Sequence, residues 1–368
     1  MKGGRIMEHY NPLLKDRQFG KKFITIGEVM LRLTPPNYEK IRMATTFEAS
    51  YGGAEANIAL ALANLGIDST FFSVVPNNSL GKSAVRMLRS YDVHCTPMIL
   101  STLEETPTHR LGTYYLETGY GIRPSKVTYD RKPSAISEYD FSNVDIDKLL
   151  DGYDWLHLSG ITPALGKNCA DFILECLKVA HAKGLTVSFD GNFRSKLWTW
   201  EEARDYCTMC LPYVNVLIGI EPYHLWKDEE DYSKGDWKDG VPLQPSYEQQ
   251  DEVFQKFVEK YPNLKCIARH VRYAHSGSQN SLKAFLWYEG HTFESKMFTF
   301  NILDRVGGGD AFASGLIYAM MNDYKAMDIV NFAVASSVLK HTIRGDANIT
   351  DNAVEIKNIM NQNFDIKR

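Results

Sequence analysis

The residues best suited to chemistry in this chain are Asp304-Arg305-Val306-Gly307-Gly308-Gly309-Asp310, followed by a small and apolar run to Met320. Glycines at a helix start let a ligand approach the backbone closely. The free amide N–H groups and the positive end of the helix dipole favour an anion there. An acid at that mouth cannot hold the anion, because it would repel it. Asp310 is better suited to accept a proton from a hydroxyl held nearby, the general-base role in phosphoryl transfer. Three glycines alone do not separate this reading from an ordinary first-turn acid.

Asp190-Gly191-Asn192-Phe193-Arg194 closes a predicted strand, Leu185–Phe189. Alternation along a strand puts Asp190, Asn192 and Arg194 on one side. An arginine at that rim suits phosphate or carboxylate; the alternative is a surface arginine paired with Asp190. Gly52-Gly53-Ala54-Glu55-Ala56-Asn57 reads either as a backbone wall that a polyhydroxy ligand can approach or as a helix cap with a close-packed turn, and both stay open. Tyr114, Tyr129 and Arg131 offer aromatic faces and a cation for a carboxylate, although tyrosines serve equally to pack a strand face. Pro76 to Ser83 nearly spells a phosphate loop, but Pro76 stands where the first glycine is needed, which favours a plain βα turn. Cys207 and Cys210 have redox spacing inside a predicted helix, Glu201–Leu211, with no second pair to complete a metal site, and read as structural.

Positioning these groups requires strands that alternate with helices. Lys22–Glu28 reads as a first buried strand, and the helix after Gly53 carries Ile58, Leu62 and Leu65 and stops at Gly66. Ser69–Val75 reads as one strand and Ser83–Tyr91 as a helix. The alternation continues with strand Trp155–Ser159, helix Lys167–Lys183, the strand before Asp190, helix Glu201–Leu211 and strand Val214–Ile218. Helix Tyr247–Lys260 and strand Lys265–Arg269 follow, then helices around Ala326–His341 and Asn352–Gln362. Such alternation predicts a parallel sheet covered on both faces, with its ligand site at the carboxyl ends of the strands. No GxGxxG follows the first strand, which counts against a dinucleotide dehydrogenase. His94–Ser101, Thr108–Glu117 and Lys126–Asp130 are strand-like without helices and predict an antiparallel flap able to exclude water from the site. Lys227–Gln249, rich in charge, glycine and proline, reads as a solvated loop.

Composition sets the outer bounds. The 368 residues are 44% hydrophobic and 23% charged, as in an ordinary globular enzyme, and six cysteines with no disulfide framework suit a reduced cytoplasm. A formal net charge of −4 supplies no general attraction to nucleic acid or to acidic membranes. No apolar run is long enough to span a bilayer, and residues 1–21, which lack a signal-peptide core, read as a poorly ordered extension.

Taken together, Gly52–Asn57, Asp190–Arg194 and Gly307–Asp310 resemble the ribokinase-like (PfkB) family of carbohydrate kinases, from Lys22 to about Ile356. Gly27-Glu-Val-Met-Leu-Arg-Leu, Leu156-His-Leu-Ser-Gly-Ile-Thr-Pro-Ala-Leu, Asn192-Phe-Arg-Ser-Lys-Leu-Trp198 and Arg344-Gly-Asp346 are most similar to its 2-keto-3-deoxygluconate kinase branch. The resemblance implies a three-layer α/β/α sandwich over 22–362, with a mostly parallel sheet and a small β-sheet lid drawn from about 30–50 and 94–132. It implies phosphoryl transfer from ATP to the C6 hydroxyl of a sugar acid. Separately, a flap that exposes one face of a small sheet suits pairing across a two-fold axis, which predicts a homodimer through the lid. Asp310 would be the base, and Gly307, Gly308 and Gly309 would hold the phosphoryl charge. Gly53, Asn57 and Asp346 would face the sugar, and Tyr114, Tyr129 and Arg131 its keto-acid end. Arg194 would lie between substrate and phosphates, and Asn192 near ATP. Mg²⁺ would bridge the phosphates mostly through water. Three departures stand out. Gly308 replaces the usual alanine, Glu221 is an imperfect match to the family's metal-side acid, and Arg269–Ser281 lacks the usual short glycine-rich turn, carrying Arg269, Arg272 and Ser276 instead.

Overall fold

The computed structural model describes residues 21–221, 223, 237–238, 241–242 and 244–365. The chain begins with β1 (Lys22–Ile26), β2 (Met30–Thr34), β3 (Glu48–Gly52), α1 (Ala54–Asn64), β4 (Asp68–Phe72), β5 (Val74–Pro76) and α2 (Ser79–Ser90). It continues through β6 (Ile99–Ser101), β7 (Thr113–Glu117), β8 (Lys126–Asp130), α3 (Ala135–Glu138), α4 (Ile146–Leu149), β9 (Trp155–Ser159), α5 (Lys167–Ala182) and β10 (Thr186–Asp190). Then come α6 (Trp200–Cys210), β11 (Val216–Ile218), β12 (Trp237–Lys238), β13 (Val241–Pro242), α7 (Tyr247–Lys260) and β14 (Cys266–Ala274). The last elements are β15 (Gln279–Tyr288), β16 (His291–Glu294), β17 (Phe298–Asn301), α8 (Gly308–Met321), α9 (Ala326–Lys340) and α10 (Ala353–Met360).

The main sheet has nine strands in the order β16-β15-β14-β11-β10-β9-β1-β4, with β17 also on β15. From β4 to β14 every pairing is parallel; beyond β14 the pairings are antiparallel. Its central strands are apolar on both sides, as a sheet covered on two faces requires. Ile24, Leu156, Val187 and Phe189 face α5, α6 and α7. Their neighbours Phe23, Trp155, Val216 and Ile218 face α1, α8, α9 and α10. Helices α8 and α9 approach closely at Gly315, where a Cβ would lie 2.7 Å from that of Ser336. The mostly parallel, two-faced sheet agrees with the sequence reading.

Five predicted features differ in detail. Residues 94–101 do not belong to the flap. Ile99–Ser101 instead pairs in parallel with Val74–Pro76, and Val93 and Cys95 are buried beside α2. The lid is a four-stranded sheet in the order β3-β2-β7-β8, and its β2–β7 pairing is parallel, so the flap is mixed rather than antiparallel. Ser69–Val75 is two strands, broken at Ser73. Helix α2 starts at Ser79 rather than Ser83, because the Asn78 side chain accepts from the amides of Leu80 and Gly81 and caps it. Asn192 and Arg194 lie beyond the strand, which ends at Asp190, and Asn192 adopts φ 40°. The predicted loop Lys227–Gln249 and the 1–21 extension fall largely outside the described residues: only β12, β13 and residues 244–249 of the former, and Lys21 of the latter, are described.

Candidate active site

A cleft runs between the lid and the carboxyl ends of the parallel strands. Its walls include Gly53, Asn57, Tyr114, Tyr129, Arg131, Asp190, Asn192, Arg194, Glu221, Gly307, Gly308, Gly309, Asp310 and Asp346. Thus every site residue singled out in the sequence lines one cavity. Val127, Phe193, Arg269, His270, Arg272 and Arg305 complete much of the remaining wall.

Two glycine turns meet at its floor. Gly53 precedes α1, where a Cβ would lie 1.9 Å from the Glu28 carbonyl oxygen, so only glycine permits the approach. Gly307 has φ 83°, and a Cβ there would strike the Asp346 carbonyl oxygen at 1.7 Å. At Gly308 the obstacle is a side chain: a Cβ would fall 2.4 Å from Cε1 of His341, whose Nδ1 lies 2.6 Å from the Ser337 carbonyl. Gly309 is open, with nothing nearer than His270 Cε1 at 4.0 Å. The turn therefore bares the first amides of α8 to the cleft, and those amides have no intrahelical acceptor.

Asn57 ties the turns together. Its Nδ2 donates to Asp310 Oδ2 at 2.6 Å, and its Oδ1 accepts from the Gly53 amide at 3.3 Å. Burial raises the Asp310 pKa to about 6, and Asp346 adds to the rise. Asn57, Arg194 and Lys340 oppose it. Asp190 is raised to about 7, mainly by enclosure and then by the charge of Asp310, although its side chain still reaches the cleft. With a pKa of about 6, Asp310 is mostly ionised at neutral pH and basic enough to take a hydroxyl proton.

On the lid side the charges are paired. Arg32 donates to Asp346 Oδ1 and to Asp304 Oδ2, each at 2.5 Å, and Tyr114 OH donates to Asp346 Oδ2. Burial works against the Arg32 charge, but the two carboxylates outweigh it and raise its pKa. Burial, and then Asp346, pushes the Tyr114 phenol well above its usual range, so it stays a donor. Both carboxylate oxygens of Asp346 are thus engaged within the protein. Arg131 donates through Nε to Glu28 Oε2 at 2.5 Å, and Ser134 holds Oε1 of the same carboxylate at 2.7 Å. The Nη groups of Arg131 have no hydrogen-bond partner among the described residues. Tyr129 is 38% exposed, packs on Tyr114 at 5.9 Å between ring centroids, and has Lys196 Nζ 5.6 Å from its own.

At the other end, Glu221 Oε1 accepts from Arg269 Nη2 at 2.9 Å, so the acid expected near a metal is already ion-paired. Among the described residues no group of three His, Cys, Asp or Glu side chains could cage a metal. Asn192 donates its amide to Asp190 Oδ1 at 3.0 Å. Cys207 and Cys210 lie buried in α6, and burial lifts both thiols above their usual range, as a structural role requires. Glu28, Arg32, Asp304 and His341 were given no role from the sequence. The one signal was the placing of Glu28 and Arg32 in an otherwise apolar stretch.

Residues 21–222 match the pfkB family carbohydrate kinase, more than half of the chain, and the chain belongs to that family. It is similar to a 2-dehydro-3-deoxygalactonokinase of Haloferax volcanii, 31% identical over 335 residues that span 91% of this chain and 95% of the relative. A 2-dehydro-3-deoxygluconokinase of Bacillus subtilis is 28% identical over 88% of this chain and 90% of its own. The crystal structure of the Thermotoga maritima 2-dehydro-3-deoxygluconokinase is 38% identical, superimposes with a TM-score of 0.83, and covers 93% of this chain and 99% of its own. The fold is therefore ribokinase-like, and the protein is a phosphotransferase acting on an alcohol group. Sugar kinases of this kind use ATP with Mg²⁺. Among the described residues no helix is long and apolar enough to cross a membrane.

Proposed function

We propose that this kinase phosphorylates 2-keto-3-deoxygluconate at its C6 hydroxyl, with ATP as donor. The observation that carries the reading is the polarity of the cleft: a base beside an anion-binding turn at one end, and tyrosines with a half-committed arginine at the other. Asp310 takes the hydroxyl proton as the oxygen attacks the γ-phosphorus and the bond from that phosphorus to the β-phosphate oxygen breaks, releasing ADP; the amides at Gly307 to Gly309 hold the charge that develops on the phosphoryl oxygens. Asn57 keeps the Asp310 carboxylate aimed, leaving Oδ1 for the substrate. Glu28 fixes Arg131 by Nε and leaves its Nη edge to the keto-acid carboxylate, beside Tyr129. Asp346, although both of its oxygens are engaged, walls the sugar subsite with Gly53 and supports Tyr114. Arg194 lies between sugar and phosphates, and Asn192 on the ATP side.

The donor set suits Mg²⁺ that reaches the protein through water and phosphate oxygens, with Asp190 and Glu221 as its outer partners. When bound, the ion neutralises phosphate charge. The kinase domain spans 22–362, works in the cytoplasm, and pairs as a homodimer through the lid.

A second reading is favoured by the Haloferax volcanii relative: the C4 epimer, 2-keto-3-deoxygalactonate. ADP release with ATP and Mg²⁺ is the test, against both keto-acids, fructose, ribose, gluconate and a no-sugar blank. Turnover on keto-acids alone is expected, and their ratio assigns the epimer. Turnover on fructose or ribose instead would overturn the role given to Arg131. Bound ATP without turnover on any sugar would point to a binding protein.

A further inference from the structure

Arg272 on β14 and Arg305 before the glycine turn both line the cleft at its phosphate end, with Arg194 across from them. Neither the Arg272 nor the Arg305 side chain makes a hydrogen bond or ion pair with any described residue. Their neighbour Arg269, by contrast, is held by Gln250 and Glu221. Three guanidinium groups converge, therefore, in a cleft where Asp190 and Asp310 both feel the Arg194 charge. The crowding has an electrostatic cost: enclosure by the cleft walls, then Arg305 and Arg194, lower the Arg272 pKa to about 10. Enclosure also lowers that of Arg305. Unpaired like charges at a cleft mouth weaken the empty protein and gain only when a multiply charged anion enters.

We propose that Arg272 and Arg305, together with Arg194, form a side-chain clamp for a polyphosphate chain, so that the donor is selected by how many phosphates it carries. Each guanidinium can offer a planar pair of donors to non-bridging oxygens. The clamp extends the open amides at Gly309 away from the sugar and onto the donor. It rests on the reading of ATP as donor, but the chemistry recognised is the phosphate chain itself, so inorganic tripolyphosphate occupies the same place.

The experiment is calorimetric binding of ATP, ADP, AMP and sodium tripolyphosphate to the full chain at several salt concentrations, with no sugar present. Wild type, Arg272→Gln, Arg305→Gln and the charge-preserving Arg272→Lys and Arg305→Lys are compared, with the thermal midpoint of each ligand-free protein. Affinity in the wild type is expected to rise with each phosphate and to fall with salt. Each glutamine variant is expected to bind ATP and tripolyphosphate about 10- to 100-fold more weakly, the loss typical of a charged hydrogen bond. AMP binding should change less than about threefold, since few of its charges reach the clamp. The lysine variants should fall between, and the ligand-free midpoint should hold or rise as repulsion is relieved.

Unchanged affinity for ATP and tripolyphosphate in both glutamine variants would overturn the clamp. So would an equal loss for AMP and ATP accompanied by a lowered ligand-free midpoint, which marks a structural arginine. Wild-type binding of tripolyphosphate without ATP would uphold the clamp and remove ATP as donor. Binding of neither would end both.

Discussion

Arg32 and Arg131 stand on the lid side of the cleft, 4% and 8% exposed, each with a carboxylate against it. Arg272 and Arg305 stand at the phosphate end with no carboxylate among the described residues. The same side chain is used in two ways. Where a guanidinium is buried, desolvation has to be offset inside the protein, and Asp304, Asp346 and Glu28 offset it. Where solvent still reaches the side chain, the charge can stay unmatched until a ligand arrives. Arg131 lies between these cases, with one edge held and the other open. Asp310 sits at the boundary of the two regions.

The deepest break is at that boundary. Asp310→Ala is expected to lower kcat by about two to four powers of ten while ATP binding persists, which stopped-flow turnover and calorimetry would separate. An unchanged kcat would remove Asp310 from the chemistry. Next is the lid side. Arg32→Gln strands two buried carboxylates and should cost about 3–5 kcal/mol in urea unfolding, whereas Arg305→Gln should cost nothing. Equal losses would erase the distinction between the two regions.

A smaller effect is expected at the intermediate member. Arg131→Gln should raise KM for the keto-acid about 10- to 100-fold and leave any residual turnover of fructose unchanged. The smallest effect is on pH. Since Asp310 must be ionised, kcat/KM should fall about tenfold for each unit below its pKa of about 6. Its folded pKa is raised above the ordinary 3.8, so the native state holds the proton more tightly between about pH 4 and 6. The Asp310 contribution to stability therefore declines as pH rises through that window, and Asp310→Asn should remove this slope from the unfolding free energy.

The paired and unpaired regions were unequally legible in the sequence. Glycine turns are local, so Gly52–Asn57 and Gly307–Asp310 could be read, and the structure brings them within a hydrogen bond of each other. Elements with a clear period were also legible: Trp155–Ser159 and Tyr247–Lys260 match residue for residue. The antiparallel strands after β14 break the βα alternation and so lie outside its period. Their signal was Glu289-Gly290, both with positive φ, a two-residue turn between aromatic runs. Arg32 meets Asp304 across 272 residues, and no periodicity announces such a pair. The unpaired Arg272 was visible as a departure from the family, but its lack of a partner is a tertiary fact.

The histidine beneath Gly308 has a consequence for how the chain can change over generations. The Gly308 backbone has no positive φ that would exclude alanine; the exclusion comes from the His341 ring. Moving that ring would cost its contact with Ser337 on one side and with Phe300, 4.8 Å away between centroids, on the other. Positions 308 and 341 are therefore sterically coupled: an alanine at 308 requires the His341 ring to move or a smaller residue to take its place.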